Sequence, residues 1–197
     1  MFFQSLMPVS VIFGLGNPGK EYEMTRHNAG FRVLDAFAKN LQIEFRKETS
    51  LRGEFAKAKF SAGTILLGKP QTFMNNSGEC VCAYTRFHKI PASETVVVYD
   101  DITLPPGSVK ISLGGSDGGH NGIKSIIKHC GNDFIRFRIG IGPKHFREQD
   151  LADFVLGKLN EEEQKISESQ TEHYIYGLKL LVSQGISAAL NLINRKQ

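Results

Sequence analysis

The chain has 197 residues, 41% of them hydrophobic and 22% charged, with a formal charge of +4 and three cysteines. These values fit one globular domain, residues 1–197, and exclude a disordered or collagen-like chain. No run of 18 apolar residues occurs, so no membrane-spanning helix is expected.

Residues 1–150 hold 19 Lys/Arg against 14 Asp/Glu, and residues 151–197 hold 5 against 6. The basic excess lies in the body of the chain, which suits a polyanionic partner. The apolar start "MFFQSLMPVSVIFGLG" has no basic leader region and no small-residue cleavage site, so it does not read as a signal peptide. Cys80, Cys82 and Cys130 contain no C-x-x-C pair and read as free thiols of a reducing compartment, the cytoplasm.

In chain order, "PVSVIFGL" (8–15) reads as a buried strand. A loop follows, then Phe31, Leu34, Phe37, Ala38 and Leu41 recur at helical spacing within 28–41. Segments 54–60 and 64–69 read as strands joined by the "SAG" turn, and 75–88 as a helix that points Cys80 and Cys82 to different faces. "ASETVVVYD" leads into a strand ending near Asp100, and after the "LPPG" turn comes a strand over 108–113. "IKSIIKH" is a short helix, "FIRFRIGIG" a strand, and the chain from Asn160 is mostly helical, with Ile166, Leu178, Leu181 and Leu190 facing a core. Segment 142–152 reads as a mobile loop. Alternating strands and helices with one hairpin imply an α/β fold: a single-domain three-layer sandwich with a twisted mixed β-sheet and helices on both faces.

Two short patterns invite a function and fail on context. Gly14, Gly16 and Gly19 spell G-x-G-x-x-G after a strand. A dinucleotide site, however, needs a helix opening at once and an acid at the end of the next strand. Here "KEYEMTRHN" intervenes, and Asp35 falls inside a helix. Gly114, Ser116 and Gly118 spell G-x-S-x-G, the nucleophile elbow of serine esterases, which needs a helix directly after the serine. "GGHNG" intervenes instead, and so many glycines suit a loop that another molecule approaches closely. Ser116 then reads as a solvated loop residue.

Polar residues cluster where the expected strands end: Asn17, His27, Asn75, Asn76, Asp100, Asp101, His120 and Asn121. In an open α/β sheet such positions share a crevice. A His–Asp pair with amides can deprotonate water and hydrogen-bond an oxyanion without a cofactor. No HExxH and no close His/Cys/Asp set appears, so no metal is expected.

The segments "GLGNPGKEYEMTRHNAGF", "KPQTFMNNSG", "YDDITLPPG", "GGSDGGHNGIKSI" and "FRIGIGPK" span most of the chain in order. Together they resemble the bacterial-type peptidyl-tRNA hydrolase family, whose members cleave the ester joining a peptide to the tRNA 3′ end. The resemblance implies no cofactor and peptidyl-tRNA as the partner, met by its acceptor end and the peptide's C-terminal portion. Nothing in the sequence suggests an obligate partner or a membrane, so a monomer acting away from membranes is expected. By the same resemblance His27 is the catalytic base acting on water, Asp100 the acid that orients it, and Asn17 a site asparagine near the scissile ester. Asn75 and Asn121 match the asparagines that bind the peptide and the 3′-terminal portion. Tyr22 and Met74 match the site wall, and His120 matches a loop support. Lys110, Arg138 and Lys144 match basic residues that meet tRNA phosphates. The chain departs from the family pattern at Thr103, Ser112, Ser116 and Asp117. Without the resemblance, each asparagine reads as a cap or turn residue, and a scattered Lys or Arg as a solvated face. Two other readings stand beside the hydrolase: a non-catalytic RNA-binding member of the fold, and a serine esterase using Ser116.

Overall fold

The computed structural model describes residues 9–61, 63–142 and 148–195. Among these, seven strands form one sheet: β1 (Val11–Gly14), β2 (Arg46–Glu48), β3 (Gly53–Phe60), β4 (Gly63–Pro70), β5 (Thr95–Asp101), β6 (Val109–Leu113) and β7 (Ile135–Gly140). Their order is β2-β3-β4-β1-β5-β7-β6. The centre is parallel, with β1 beside β4 and β5, and β5 beside β7. Pairs β2–β3, β3–β4 and β6–β7 are antiparallel, so the sheet is mixed, as the alternation of elements implies. The helices are α1 (Ala29–Asn40), α2 (Ser77–Phe87), α3 (Asn121–Cys130), α4 (Glu148–Leu156) and α5 (Glu161–Ile193).

Strand alternation splits the core into two layers. Ile12, Val96 and Val98 join Leu34 and Phe37 of α1 and Leu178 and Leu181 of α5 in one cluster. Val11, Phe13, Val97 and Tyr99 join Val81 and Tyr84 of α2 and Ile123 and Ile126 of α3 in the other. Both faces of the sheet are thus covered, and its central strands are apolar throughout. Ile166 and Leu190 are only partly buried.

The chain leaves β1 through α1 towards β4, and returns through α2 to β5 on the other side of β1. The carboxyl ends of β1 and β5 therefore flank a switch point, where a doubly wound sheet opens a crevice. The glycines of "GLGNPG" serve packing there. A Cβ on Gly14 would strike the backbone of Gly30, and one on Gly16 would strike the Phe31 ring. A Cβ on Gly30 would in turn strike Leu15 and the Val98 carbonyl. These glycines let α1 lie directly on the strands, which brings its N-terminal end to the crevice.

Two elements differ from the sequence reading. Residues 148–152 of the segment read as a loop begin α4; residues 143–147, with Lys144, lie outside the described residues, as does the apolar start before Val9. Strand β2 is fully exposed and polar, "RKE", so it carries no apolar alternation to read. Helix α5 opens with a capping box, in which the Asn160 side chain accepts from Glu163 N–H and Glu163 accepts from Asn160 N–H. It bends at Gly185, whose φ of 77° leaves helical geometry. Beyond it, Asn194 bonds Ile111 N–H and C=O at 2.8 Å each, covering part of the β6 edge. Among the described residues no helix is long and apolar enough to cross a membrane.

Candidate active site

His27 sits on a 3-10 turn, Arg26–Asn28, that leads straight into α1. Arg26 anchors this turn. Its guanidinium forms a fork with Glu163 at 2.8 and 2.7 Å, donates to the Phe154 carbonyl and lies 4.3 Å over the Phe154 ring. His27 is buried and its Nδ1 lies 2.9 and 3.0 Å from the two Asp100 oxygens. Asp100 is the penultimate residue of β5 and is 2% exposed, so this carboxylate exchanges little with water.

Strand geometry decides between the two adjacent aspartates. Asp100 shares the β5 face of Val96 and Val98, which looks towards α1 and so meets His27. Asp101 shares the face of Tyr99 and is held by Arg138 Nε at 2.6 Å and by Thr103 N–H at 2.7 Å.

A second imidazole completes the cluster. His120 Nε2 lies 3.1 Å from Asp100 Oδ1, and its Nδ1 accepts from Ile123 N–H at the start of α3. A backbone N–H can only donate, so neutral His120 carries its proton on Nε2 and gives it to Asp100. This places His120 within the site rather than only in loop support. His27 Nδ1 likewise donates to the carboxylate, leaving His27 Nε2 with its lone pair and no partner among the described residues.

The ligand-type atoms of His27, Asp100 and His120 all lie within 4.8 Å of one another. Both nitrogens facing Asp100, however, are donors in this arrangement. A cation there would have to displace both protons and break the His120 cap. The chemistry of the set fits a hydrogen-bonded relay better than a metal centre.

Burial of His27 alone would lower its pKa; the Asp100 charge and hydrogen bond outweigh this, and the net shift is upward from 6.5. Burial would raise Asp100, but His27 and His120 together hold its carboxyl well below the usual range.

Asn17 follows β1 and is buried. It exchanges a reciprocal pair of 2.9 Å bonds with the Asn28 side chain, and its Oδ1 accepts from Met74 N–H at 2.8 Å. The donor Met74 N–H fixes the amide orientation, so Asn17 Nδ2 is the remaining donor. Met74 itself is buried in the core, and its link to the site is through its backbone. Asn75 is exposed on the 3-10 turn Met74–Asn76 before α2, and Asn121 is exposed at the first position of α3. Tyr22 is half-buried and meets Phe73 edge-on at 6.3 Å. Phe73, 56% exposed, escaped the sequence reading; its signal was an apolar ring beside the "MNN" turn.

A cleft of about 540 Å³ opens over His27, Asp100, His120 and Asn121, while Asn17 lines a separate pocket on the other side of the 3-10 turn and Tyr22, Met74 and Asn75 are not among the cleft's lining residues. The cleft walls include Arg138, the glycine loop 114–119 and Leu151, Ala152 and Val155 of α4. Lys110 is exposed and pairs across the strands with Arg138. Ser116 lines the cleft, but seven residues separate β6 from α3, and no histidine bonds the Ser116 hydroxyl among the described residues. The elbow reading fails on geometry.

Comparison with known proteins identifies the family. The family described as Peptidyl-tRNA hydrolase matches residues 11–197. A peptidyl-tRNA hydrolase of Geobacillus thermodenitrificans is 47% identical over 156 residues, 79% of this chain and 83% of the relative. One of Pelobacter propionicus is 42% identical over 194 residues, 96% of this chain and 97% of the relative. The crystal structure of peptidyl-tRNA hydrolase from Acinetobacter baumannii superposes with a TM-score of 0.91 at 34% identity, covering 98% of both chains. By sequence along nearly its whole length and by fold, the chain belongs to the peptidyl-tRNA hydrolase family.

Proposed function

We propose that this protein hydrolyses the ester between a peptide and its tRNA, using water activated by His27, and so returns the tRNA for reuse. The observation that carries the reading is the buried Asp100–His27 pair, which leaves His27 Nε2 as an unpartnered base at the cleft floor. Water attacks the ester carbonyl carbon as His27 Nε2 takes its proton. Asp100 keeps the imidazole in the required tautomer and stabilises the imidazolium. Asn17 Nδ2 is the available donor for the oxygen of the tetrahedral intermediate. Collapse breaks the ester bond, and the imidazolium returns the proton to the departing ribose oxygen. The products are a peptide acid and a tRNA with a free terminal hydroxyl.

The exposed amides of Asn75 and Asn121 hold the peptide backbone and the 3′-terminal nucleotide, with Tyr22 contributing to the wall and Met74 supporting Asn17 through its backbone N–H. Contacts to the backbone rather than to side chains suit many peptide sequences. Lys110 and Arg138 meet phosphates at the rim, giving salt-dependent affinity driven by shape and charge. All these groups come from one chain, so a monomer can carry the reaction.

Hydrolysis of a peptidyl-tRNA by wild type and by Ser116→Ala tests the reading. Equal turnover is expected, with intact tRNA released. Loss confined to Ser116→Ala would make the protein a serine esterase. No turnover by folded wild type would leave an RNA-binding protein without chemistry.

A further inference from the structure

We infer that Arg136 is a positioning residue: it holds the glycine loop 114–119, and through that loop it keeps His120 on Asp100. The inference rests on the His27–Asp100 reading above and adds a group that acts through the loop.

Arg136 is the second residue of β7, a strand whose Ile135, Phe137 and Ile139 fill the core. It is 4% exposed, and no carboxylate pairs with it among the described residues. Burying a guanidinium without a counter-charge is unfavourable relative to an apolar side chain. Its partners indicate what it does there. One terminal nitrogen donates to the Ser116 carbonyl; the other donates to the Gly115 carbonyl at 2.5 Å and to Asn132 Oδ1 at 2.7 Å. The planar fork thus grips two successive carbonyls, which a lysine ammonium cannot match. The side chain also lies against the Tyr99 hydroxyl and 5.0 Å over the Phe134 ring, so its own position is fixed.

The loop needs such a grip. Gly114, Gly115, Gly118 and Gly119 all have positive φ, and at Gly118 and Gly119 an added Cβ would touch nothing within 4 Å. Packing therefore does not define that stretch. Its second half is closed locally, with Asp117 accepting from Gly119 N–H at 2.8 Å and from His120 N–H at 3.0 Å. Its first half is held by the Arg136 fork and by one 3.3 Å bond from Gly114 N–H to the Phe134 carbonyl. The segment ends at His120, whose ring leans on Tyr99 at 4.9 Å and reaches Asp100 at 3.1 Å. A chain of contacts runs from Arg136 through the loop to the carboxylate that orients His27.

A plain structural anchor would change stability alone, so the test reads chemistry and tautomer together. Arg136→Lys keeps the charge and loses the fork. The variant should lower kcat for a peptidyl-tRNA between about tenfold and a hundredfold, the scale of a small misplacement, with a smaller change in KM. The 15N signals of the His120 ring should move from one Nε2–H tautomer towards an average of two. Unchanged kcat and unchanged ring signals overturn the inference, whatever the melting temperature does. Should Arg136→Lys fail to fold, Asn132→Ala decides, because it removes one acceptor from the fork. The same direction of change in kcat and in the ring signals supports the inference, and no change in either refutes it. Failure of the His27 reading is separable: His27→Ala would then stay active while the His120 ring still responded to Arg136→Lys.

Discussion

His27→Ala is expected to lower kcat by about 10²–10⁴-fold, the usual contribution of a positioned general base, while the protein stays folded. No other described group can take over. His120 spends Nε2 on Asp100 and Nδ1 on the Ile123 N–H, so it has no free lone pair. Ser116 lines the same cleft, but among the described residues no histidine bonds its hydroxyl. Steady-state hydrolysis of a peptidyl-tRNA, with a melting curve for each protein, checks the expectation. Activity within threefold of wild type would remove His27 from the mechanism.

Asp100→Asn should cost about as much, on the order of 10²–10⁴-fold in kcat, for a reason specific to this site. His120 can only donate to residue 100, and it does so at Oδ1. An asparagine would keep its carbonyl oxygen there and turn its NH₂ towards His27 Nδ1. That NH₂ competes with the carbonyl oxygen for His27 Nδ1, which lies 2.9 Å from the Oδ1 position and 3.0 Å from the Oδ2 position. An imidazole that accepts from the NH₂ carries its proton on Nε2 and is no base, and the neutral amide no longer stabilises the imidazolium. The fold should survive, because the amide matches the carboxylate in shape. A wild-type rate in Asp100→Asn would show that the tautomer of His27 is not controlled from β5.

Much of the fold and most of the candidate site are legible in the sequence, for identifiable reasons. Strands β1, β5 and β7 are apolar runs bounded by turn residues, and α1 carries its stripe openly. Helix α4 hides because its apolar residues begin only at Leu151, after a charged stretch, and β2 hides because all three of its residues are exposed. The choice of Asp100 over Asp101 depends on which face of β5 looks at α1, a tertiary fact. The role of His120 depends on its second nitrogen capping α3, which no spacing reveals. Arg136 did leave a signal: two arginines alternate in the otherwise apolar "IRFRIG", placing a charge at a buried strand position.

The raised His27 pKa has opposite consequences for stability and for activity. A folded-state value above 6.5 contributes stability that is full below about pH 6.5 and is lost as pH rises through the folded value. The depressed Asp100 carboxyl contributes stability that is present above its ordinary range near 3.8 and is lost as pH falls. Catalysis needs neutral His27, so activity must increase over the range in which the His27 contribution to stability declines.

The most direct test is therefore the pH dependence of kcat/KM for wild type on a peptidyl-tRNA. The expected profile rises with unit slope and levels off, with its midpoint above 6.5, the ordinary histidine value. A profile that is flat between pH 5.5 and 8.5, or that falls as pH rises, would contradict a neutral His27 acting as the base.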